Sequence, residues 1–187
     1  MTGVPVLVRD AVPEDAESLL AIWTDFTSES DRPKKPATTV VEVARSVARL
    51  GPDPTERLVV AELDSELVGV AHLRRAPISP IHDEDAVHVS YLHVLSGRRR
   101  RGVGTQLLEA AADWADEKDT KNIVASVAAA SRDSNRFLAR LGMAQVAVVR
   151  ATPVACLRGK LTVAASTPIA TNLIAARRLM RRRRSVD

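Results

Sequence analysis

The apolar residues of this chain recur with two different periods, and the switches between them divide the sequence into strands and helices. Alternation at every second position predicts a half-buried strand over residues 4–8. Spacings of three and four after Pro13 predict a helix, with acidic residues in the first turn, where the helix dipole favours them. The same reasoning predicts a helix over 40–50, a hairpin of strands 58–63 and 67–73, a strand over 87–94, a helix from Val103, a strand over 123–128, a helix over 133–141 and two closing strands over 144–149 and 154–161.

The order of these elements indicates the fold class. A hairpin followed by a strand–helix–strand crossover produces a mixed sheet with helices packed on its faces. We therefore expect an α/β (α+β) protein with a mostly antiparallel central sheet of about seven strands and about four flanking helices.

Composition narrows the class of protein. Of 187 residues, 45% are apolar and 27% are charged, as in globular domains, which excludes a disordered chain or a fibre. The single cysteine, Cys156, excludes an internal disulfide and argues against a cysteine-rich metal site. The first residues lack the apolar core of a signal peptide, and no segment approaches the roughly 20 apolar residues of a membrane span. These features predict a cytoplasmic protein.

The formal net charge of +4 is unevenly distributed. Residues 168–187 hold six arginines and one acidic residue, and Arg98–Arg101 form a second basic run inside the chain. We therefore divide the chain into a domain over residues 1–161 and a linker with a basic tail over residues 162–187. Apolar residues at helical spacing predict an amphipathic helix in that tail.

The segment from Leu92 to Thr105 carries the clearest chemical signal. A strand leads into a loop with arginines, Gly102 and Gly104, and then into the first turn of a helix. Free backbone N–H groups at a helix start bind anions, and glycine lets a phosphate approach the backbone. The loop lacks the Gly-Lys-Ser/Thr ending of a P-loop and the three spaced glycines of the dinucleotide fingerprint. The loop therefore predicts a phosphorylated ligand that is bound by neither of these two nucleotide motifs.

The pattern Arg99-x-x-Gly102-x-Gly104, after a strand with Leu92-x-Val94, resembles the acetyl-CoA loop of the GNAT superfamily of acyl-CoA N-acyltransferases. The order of elements over about residues 4–161 resembles that family as well. The resemblance implies transfer of an acetyl group from acetyl-CoA to a primary amine of a small molecule or peptide. The amine would attack the thioester directly, without an acyl-enzyme.

The same resemblance implies which residues contact the cofactor. The pantetheine arm should pair like an added strand with the backbone at Leu92, His93 and Val94. The pyrophosphate should lie on backbone amides of the following loop, with charge from an arginine and a contact from a threonine hydroxyl. These loop residues are Arg99, Arg100, Arg101, Gly102, Val103, Gly104 and Thr105. Ser131 is a further candidate contact to CoA. It precedes a second segment that resembles one by which the family contacts CoA, and it stands where the family often has asparagine.

That second segment, Phe137–Met143, departs from the family's pattern at one important position. The tyrosine that often protonates the leaving thiolate is replaced by Leu138, which has no proton to give. Either water, Ser131 or Ser134 substitutes, or the thiolate leaves unassisted. Tyr91 is the only tyrosine, and nothing in the sequence places it at the sulfur.

His88 is the candidate general base. It lies eleven positions before Arg99, where members of the superfamily resemble one another in carrying a glutamate or a histidine. An imidazole titrates near neutral pH, which suits removal of a proton from an amine. The alternative is a strand histidine that only packs against its neighbours. His93 differs from His88 in strand parity unless a bulge intervenes, and we expect its side chain to be structural.

Two charged clusters have competing interpretations. Four adjacent loop residues rarely converge on one ion, so we expect no metal site at His82–Asp85. That cluster is either a solvated loop or an acidic rim that attracts a cationic amine. Nucleic-acid binding through Arg98–Arg101 alone is disfavoured, because the chain has few aromatic residues for stacking.

The basic tail keeps a second function open. As an amphipathic helix it would bind RNA or an anionic membrane surface, whereas as a solvated extension it would bind neither. The alternative to the transferase is an acyl-CoA-binding, catalytically weak protein of the same fold, whose tail docks on RNA, the ribosome or a membrane. The sequence leaves open the acceptor amine and the oligomeric state, a homodimer included.

Overall fold

The computed structural model describes residues 5–29, 38–81 and 83–166, so residue 4, His82 and most of the basic tail lie outside the described residues. The chain divides into two compact units, Met1–Ala144 and Gln145–Asp187. In chain order the elements are β1 (Leu7–Asp10), α1 (Ala16–Ser28), α2 (Val40–Leu50), β2 (Glu56–Leu63), β3 (Glu66–Pro77), β4 (Asp85–Val94), α3 (Val103–Glu117), β5 (Asn122–Ala125), α4 (Arg132–Arg140) and α5 (Val154–Ser166). None of these helices is long and apolar enough to cross a membrane.

The strands form one sheet in their sequence order. Strands β1 to β4 pair antiparallel, and β4 pairs with β5 in parallel. The predicted β2–β3 hairpin is confirmed: its turn residues Asp64 and Ser65 have φ values of 56° and 63°, as in the two-residue turns that match strand twist. The parallel return to β5 requires a crossover, which α3 supplies. The mixed, mostly antiparallel sheet expected from the sequence is therefore confirmed.

The two closing strands predicted over 144–149 and 154–161 are wrong. The described sheet has five strands instead of about seven. Residues 154–161 lie within α5, because Val154 is their only β-branched residue and Ala, Leu, Arg and Lys favour a helix. The valines over 144–149 alternate as in a strand, but a strand needs a partner, and the helical segment cannot supply one.

The sheet has a buried apolar layer on each face. On one face, the buried apolar residues of α3, among them Leu107 and Trp114, pack against Val59, Val68 and Val87. On the other face, Ile22 of α1 and Val47 of α2 pack against β2 and β3. Because side chains alternate along a strand, the parity of a strand residue decides whether it faces α3 or the α1–α2 layer.

A buried carboxylate fixes the start of α1. Asp15 is 9% exposed and accepts hydrogen bonds from Nη1 and Nη2 of Arg9, at 2.7 and 2.8 Å, and from the N–H of Val12 at 2.8 Å. Arg9 also donates to Glu62 on β2. The hydrogen bonds from Arg9 lower the pKa of Asp15 below its ordinary value of 3.8, although burial opposes the shift. The cluster ties β1, β2 and the start of α1 together.

We expect Asp15→Asn to lower the free energy of unfolding by about 1–3 kcal/mol at pH 7, because the amide cannot replace the charge-assisted bonds to Arg9. The folded pKa lies below 3.8, so this stabilisation is complete above about pH 4 and is lost as the pH falls through the folded pKa. Urea unfolding at several pH values measures it. Glu17→Gln, an exposed change in the same turn, should have little effect. If the difference in unfolding free energy between the wild type and Asp15→Asn stays the same in acid, the assignment is contradicted.

Candidate active site

Strands β4 and β5 separate halfway along β4. Their parallel pairing runs from Ala86 to Val89, and the N–H of Ser126 donates to the carbonyl of Val89 at 2.8 Å. Beyond this fork β4 continues beside β3, and no strand among the described residues flanks its other edge over 92–94. An extended ligand can pair with such an edge. The fork thus lies where the sequence predicts the pantetheine arm.

A β-bulge beyond the fork re-aims the side chains of β4. Between the pairs His72–Ser90 and Val70–His93, β4 has one residue more than β3. The extra residue shifts the alternation by one, so His93 lies on the same face as His88, the face covered by α1. The parity difference expected without a bulge is therefore absent.

His88 lies just before the fork, opposite Arg74 on β3 and Val124 on β5. Its Nε2 is buried and has no hydrogen-bond partner among the described residues. Leaving a polar atom in this state costs about 1–3 kcal/mol, which calls for a reason such as catalysis. The geometry is compatible with a general base for a bound amine, and that role stays a prediction.

Beyond the fork, His93 joins β4 to α1. Its Nε2 lies 2.8 Å from Oδ2 of Asp25, and the same carboxylate accepts the N–H of Ser96 at 3.3 Å and its hydroxyl at 3.2 Å. Burial raises the pKa of Asp25, but the hydrogen bonds from His93 and Ser96 outweigh it, so this pKa lies below its ordinary value. The His93 side chain thus holds α1 to the end of β4, while its backbone contact with pantetheine stays a prediction.

Arg99 belongs to the same network. Its Nε donates to the carbonyl of Val94 at 3.1 Å, and its Nη2 donates to Glu29, just after α1. The hydrogen bond from Arg99 lowers the pKa of Glu29, against the effect of burial. Arg98 and Arg101 also face carboxylates, those of the β2–β3 hairpin. Much of the positive charge of the run is neutralised within the protein, so a pyrophosphate would compete with Glu29 for Arg99.

Helix α3 begins without a side-chain cap. Gly102, at its N-cap, has a φ of 84°, and apart from chain neighbours no described atom lies within 4 Å of the position that a Cβ would occupy. The N–H groups of Thr105 and Gln106 donate to the Gly102 carbonyl at 3.0 and 3.1 Å. The N–H groups of Val103 and Gly104 stand in the first turn, where the helix itself offers them no carbonyl acceptor. An uncapped helix start beside open space suits an anion. The predicted pyrophosphate contacts of this loop stay predictions.

Two close packings hold the loop in place. At Gly69 on β3, a Cβ would lie 3.0 Å from Val103 and 3.2 Å from Leu107, so the glycine lets the start of α3 approach the sheet. At Gly104, a Cβ would lie 3.4 Å from the ring of Phe137, so α4 packs against the start of α3. The second CoA segment implied by the resemblance therefore reaches the glycine loop.

Ser131 caps α4. Its hydroxyl accepts the N–H of Ser134 at 3.4 Å and lies 2.8 Å from the hydroxyl of that residue. Asn135 donates to the carbonyls of Ser131 at 2.7 Å and Ala128 at 3.1 Å, which anchors the loop after β5. Leu138 is 7% exposed, so a packed aliphatic side chain occupies the position of the family's tyrosine. The CoA contact of Ser131, and a general-acid role of Ser131 or Ser134, stay predictions.

The acidic loop before β4 is partly paired. Asp85 faces Arg75 at 3.4 Å, and Glu84 accepts from Asn122 at 2.7 Å, while His82 lies outside the described residues. Within the described ranges, no three His, Cys, Asp or Glu side chains come together as a metal site requires. Two carboxylates of the expected acidic rim are therefore already engaged.

Three of the chain's five Phe, Trp and Tyr residues meet beside the bulge. Trp23 and Phe26 of α1 have ring centroids 5.4 Å apart, and Tyr91 lies 5.4 Å from Trp23 and 5.9 Å from Phe26. Tyr91 is 39% exposed, and the other two rings are half-buried. The helical spacing of Trp23 and Phe26 favours a core position, whereas in the structure both are half-buried and form an aromatic cluster with Tyr91 near the fork.

Asp25 and Glu29 are site residues that the sequence interpretation misses. The available signal is their position: two acids four residues apart near the C-terminal end of a helix, where the helix dipole disfavours negative charge. Such a placement predicts a cationic or hydrogen-donating partner outside the helix. Here those partners are His93, Ser96 and Arg99.

Several solved structures have the same fold. A transcriptional regulator from Bacillus halodurans C-125 matches with a TM-score of 0.68 at 22% identity, over 80% of this chain and 99% of its own. An aminoglycoside N-acetyltransferase in complex with CoA gives 0.66 at 15% identity, over 81% and 96%. A ribosomal-protein-alanine N-acetyltransferase from Brucella melitensis biovar Abortus 2308 gives 0.63 at 19% identity, over 80% and 99%. At these identities the likeness shows the fold.

A family model identifies the chain more closely, although no curated protein matches the sequence. The model of the acetyltransferase (GNAT) family matches residues 17–143. This range includes every element from α2 to α4, and so both the β4–β5 fork and the glycine loop at the start of α3. The match spans more than half of the chain, and it confirms the resemblance to this family. The chain belongs to the acetyltransferase (GNAT) family.

Proposed function

We propose that this protein is an N-acetyltransferase that transfers an acetyl group from acetyl-CoA to a primary amine. The proposal rests on the juxtaposition of the β4–β5 fork with the uncapped start of α3. The fork offers a strand edge to the pantetheine arm, and the helix start offers N–H groups to the pyrophosphate. Only residues 95–102 separate the end of β4 from the start of α3. A protein of the same fold was solved with CoA, which supports this cofactor.

The transfer needs no covalent enzyme intermediate. The amine nitrogen forms a bond to the thioester carbon, the C–S bond breaks, and CoA leaves as a thiolate that then takes up a proton. The nitrogen loses two protons on the way from ammonium to amide, one before it attacks and one as the C–N bond forms, so the protein has to orient the two substrates and accept protons from the nitrogen. His88, with its orphaned Nε2 beside the fork, is the side chain that we assign as acceptor of the proton that the nitrogen loses as the C–N bond forms.

We propose a cationic primary amine as the acceptor. The rings of Trp23, Phe26 and Tyr91 lie beside the bulge, and aromatic faces attract ammonium groups. Proteins of the same fold are named for acting on aminoglycosides and on the alanine of a ribosomal protein, both of which carry amines. These rings would line the acceptor side of the site.

One observation favours a second function. Leu138 is packed at the position of the family's tyrosine, so that position gives the leaving thiolate no proton. A catalytically weak acyl-CoA-binding protein would tolerate this residue, and its basic tail, outside the described residues, would dock on RNA, the ribosome or a membrane. Both candidates bind CoA, so turnover is the property that distinguishes them.

Thiol release from acetyl-CoA tests the proposal directly. The panel of acceptors contains an aminoglycoside, an amino sugar and a peptide with an N-terminal alanine. We expect release with at least one amine, and we expect His88→Ala to lower it at least about tenfold at pH 7, because the proton acceptor is lost.

The outcomes separate the two candidates. Tight CoA binding without thiol release across the panel would favour the acyl-CoA-binding protein. Thiol release that is unchanged in His88→Ala would keep the transferase and remove His88 as the base. CoA affinity, measured for every variant, shows that the site is still folded.

A further inference from the structure

Three polar side chains from neighbouring strands are hydrogen-bonded in a row across the sheet. Oε2 of Glu56 lies 3.3 Å from Nε2 of His72, and Nδ1 of His72 lies 3.1 Å from the hydroxyl of Ser90. The row crosses β2, β3 and β4 on the face covered by α1 and α2. We call Glu56, His72 and Ser90 the polar chain.

The partners of His72 determine which ring nitrogen carries the proton. A carboxylate only accepts hydrogen bonds, so Nε2–H points at Glu56. Nδ1 then offers a lone pair, and the Ser90 hydroxyl donates to it. A carboxylate in this position also stabilises the imidazolium that forms when Nδ1 accepts a proton. The polar chain is therefore arranged to draw a proton away from Ser90.

Ser90 is also well placed for the reaction. Val89 is the last residue of β4 that pairs with β5, and Ser90 is the next residue along the strand. His88 lies deeper, two residues before Ser90 on the same face, and its buried Nε2 has no described group to which it could pass a proton. Glu56 and His72 are 23% and 21% exposed, so the far end of the polar chain opens to solvent.

Two other charged groups that the structure describes on this face, Arg74 and His93, do not form a competing route. Arg74, opposite both Glu56 and His88, carries no proton acceptor. His93 is bound to Asp25, but that pair leads to Ser96 in the cofactor loop, away from the fork. Among the described histidines on this face, His72 is the one whose hydrogen bonds lead from Ser90 at the fork to a partly exposed carboxylate.

We propose that the polar chain is the proton relay of the acetyl transfer, a role that rests on the function proposed above. The ammonium group of the acceptor gives a proton to Oγ of Ser90 while the Ser90 hydroxyl proton passes to Nδ1 of His72, so the serine stays neutral. The electron pair freed on nitrogen forms the C–N bond, the C–S bond breaks, and CoA leaves as a thiolate. The imidazolium then returns its proton to solvent, and the second proton, which the nitrogen loses to His88 as the C–N bond forms, ends on the thiolate. Ser90 is the catalytic residue here, and His72 and Glu56 are positioning residues.

Kinetics of Ser90→Ala, Ser90→Thr, His72→Gln and Glu56→Gln test the relay, with acetyl-CoA and the amine that gives the wild type its fastest thiol release. We expect Ser90→Ala and His72→Gln to lower kcat about tenfold or more at pH 7, with KM for acetyl-CoA changed less than about twofold. The deficit should shrink as the pH rises past the pKa of the amine, because a free amine has already lost the ammonium proton that the relay removes. Ser90→Thr keeps a hydroxyl and should keep most of the activity.

A matched control and a double variant sharpen the test. Glu62→Gln removes another paired glutamate from β2 and should leave kcat unchanged, unlike Glu56→Gln. Ser90→Ala combined with His72→Gln should be no slower than the slower single variant, because the two residues act as one unit. If His72→Gln does not fold, as its CoA affinity will show, the comparison of Ser90→Ala with Ser90→Thr decides.

Each remaining outcome counts against the proposal. Equal kcat values for the wild type and Ser90→Ala, or a deficit that is the same at every pH, would overturn the relay and leave the transferase standing. A wild type that binds CoA but releases no thiol with any amine would overturn both. Loss of activity in Ser90→Thr equal to that in Ser90→Ala would show that packing, and not the hydroxyl, matters at this position.

Discussion

Gly102→Val is expected to weaken CoA binding at least about tenfold. Gly102 has a φ of 84°, a conformation that costs a residue with a Cβ about 1–2 kcal/mol and that β-branched residues rarely adopt. The valine side chain would also project into the open space in front of the N–H groups of Val103 and Gly104, where we place the pyrophosphate. Calorimetric titration with CoA measures the loss.

Two smaller changes separate the backbone effect from the steric effect. Gly102→Ala has the conformational cost but a small side chain, so its loss of affinity should be smaller. Gly97→Ala lies in the same loop, without a positive φ and with nothing near its Cβ position, and should bind CoA as the wild type does. Wild-type affinity in Gly102→Val would show that the pyrophosphate does not lie at the start of α3.

The parts of the fold that the sequence predicts well are those with local causes. Helix α2 begins at Val40 because Thr39 and Glu42 form a capping box, and it ends before Gly51, which are signals that lie within a few residues of each boundary. The hairpin between β2 and β3 depends only on a two-residue turn between two apolar runs. The glycine loop before α3 is equally local, which is why the predicted cofactor site and the helix start coincide in the chain.

The parts that fail depend on partners far away in sequence. The bulge at Tyr91, which has a φ of 54°, arises from the pairing of β4 with β3. No residue type in this segment predicts it. The polar chain needs the register of three strands before Glu56, His72 and Ser90 become neighbours. A polar residue inside an apolar run, such as His72 among the residues of β3, is the available hint. It shows that a partner is needed, but it does not identify the partner.

Gly69 links the stability of the sheet to the cofactor loop, and Gly69→Val is expected to damage both. Even a Cβ there would lie 3.0 Å from Cγ1 of Val103, 3.1 Å from the carbonyl oxygen of His93 and 3.2 Å from Cδ1 of Leu107. Two of these neighbours belong to α3, and the third is backbone at the end of β4, which cannot move aside alone. Overpacking of this kind costs about 1–3 kcal/mol, and we expect a loss near the upper end because valine adds two further carbons. Urea unfolding measures it.

The same substitution should weaken CoA binding, because α3 relieves the clash by moving away from the sheet at its first turn. Leu107→Ala is the informative comparison: it should cost about 2–5 kcal/mol by opening a cavity, yet it leaves Val103 and the helix start in place, so CoA affinity should change little. Combining the two should cost less than the sum of their separate effects, since the cavity makes room for the valine. If Gly69→Val lowers stability but keeps full CoA affinity, the start of α3 does not depend on this contact, and the glycine serves packing alone.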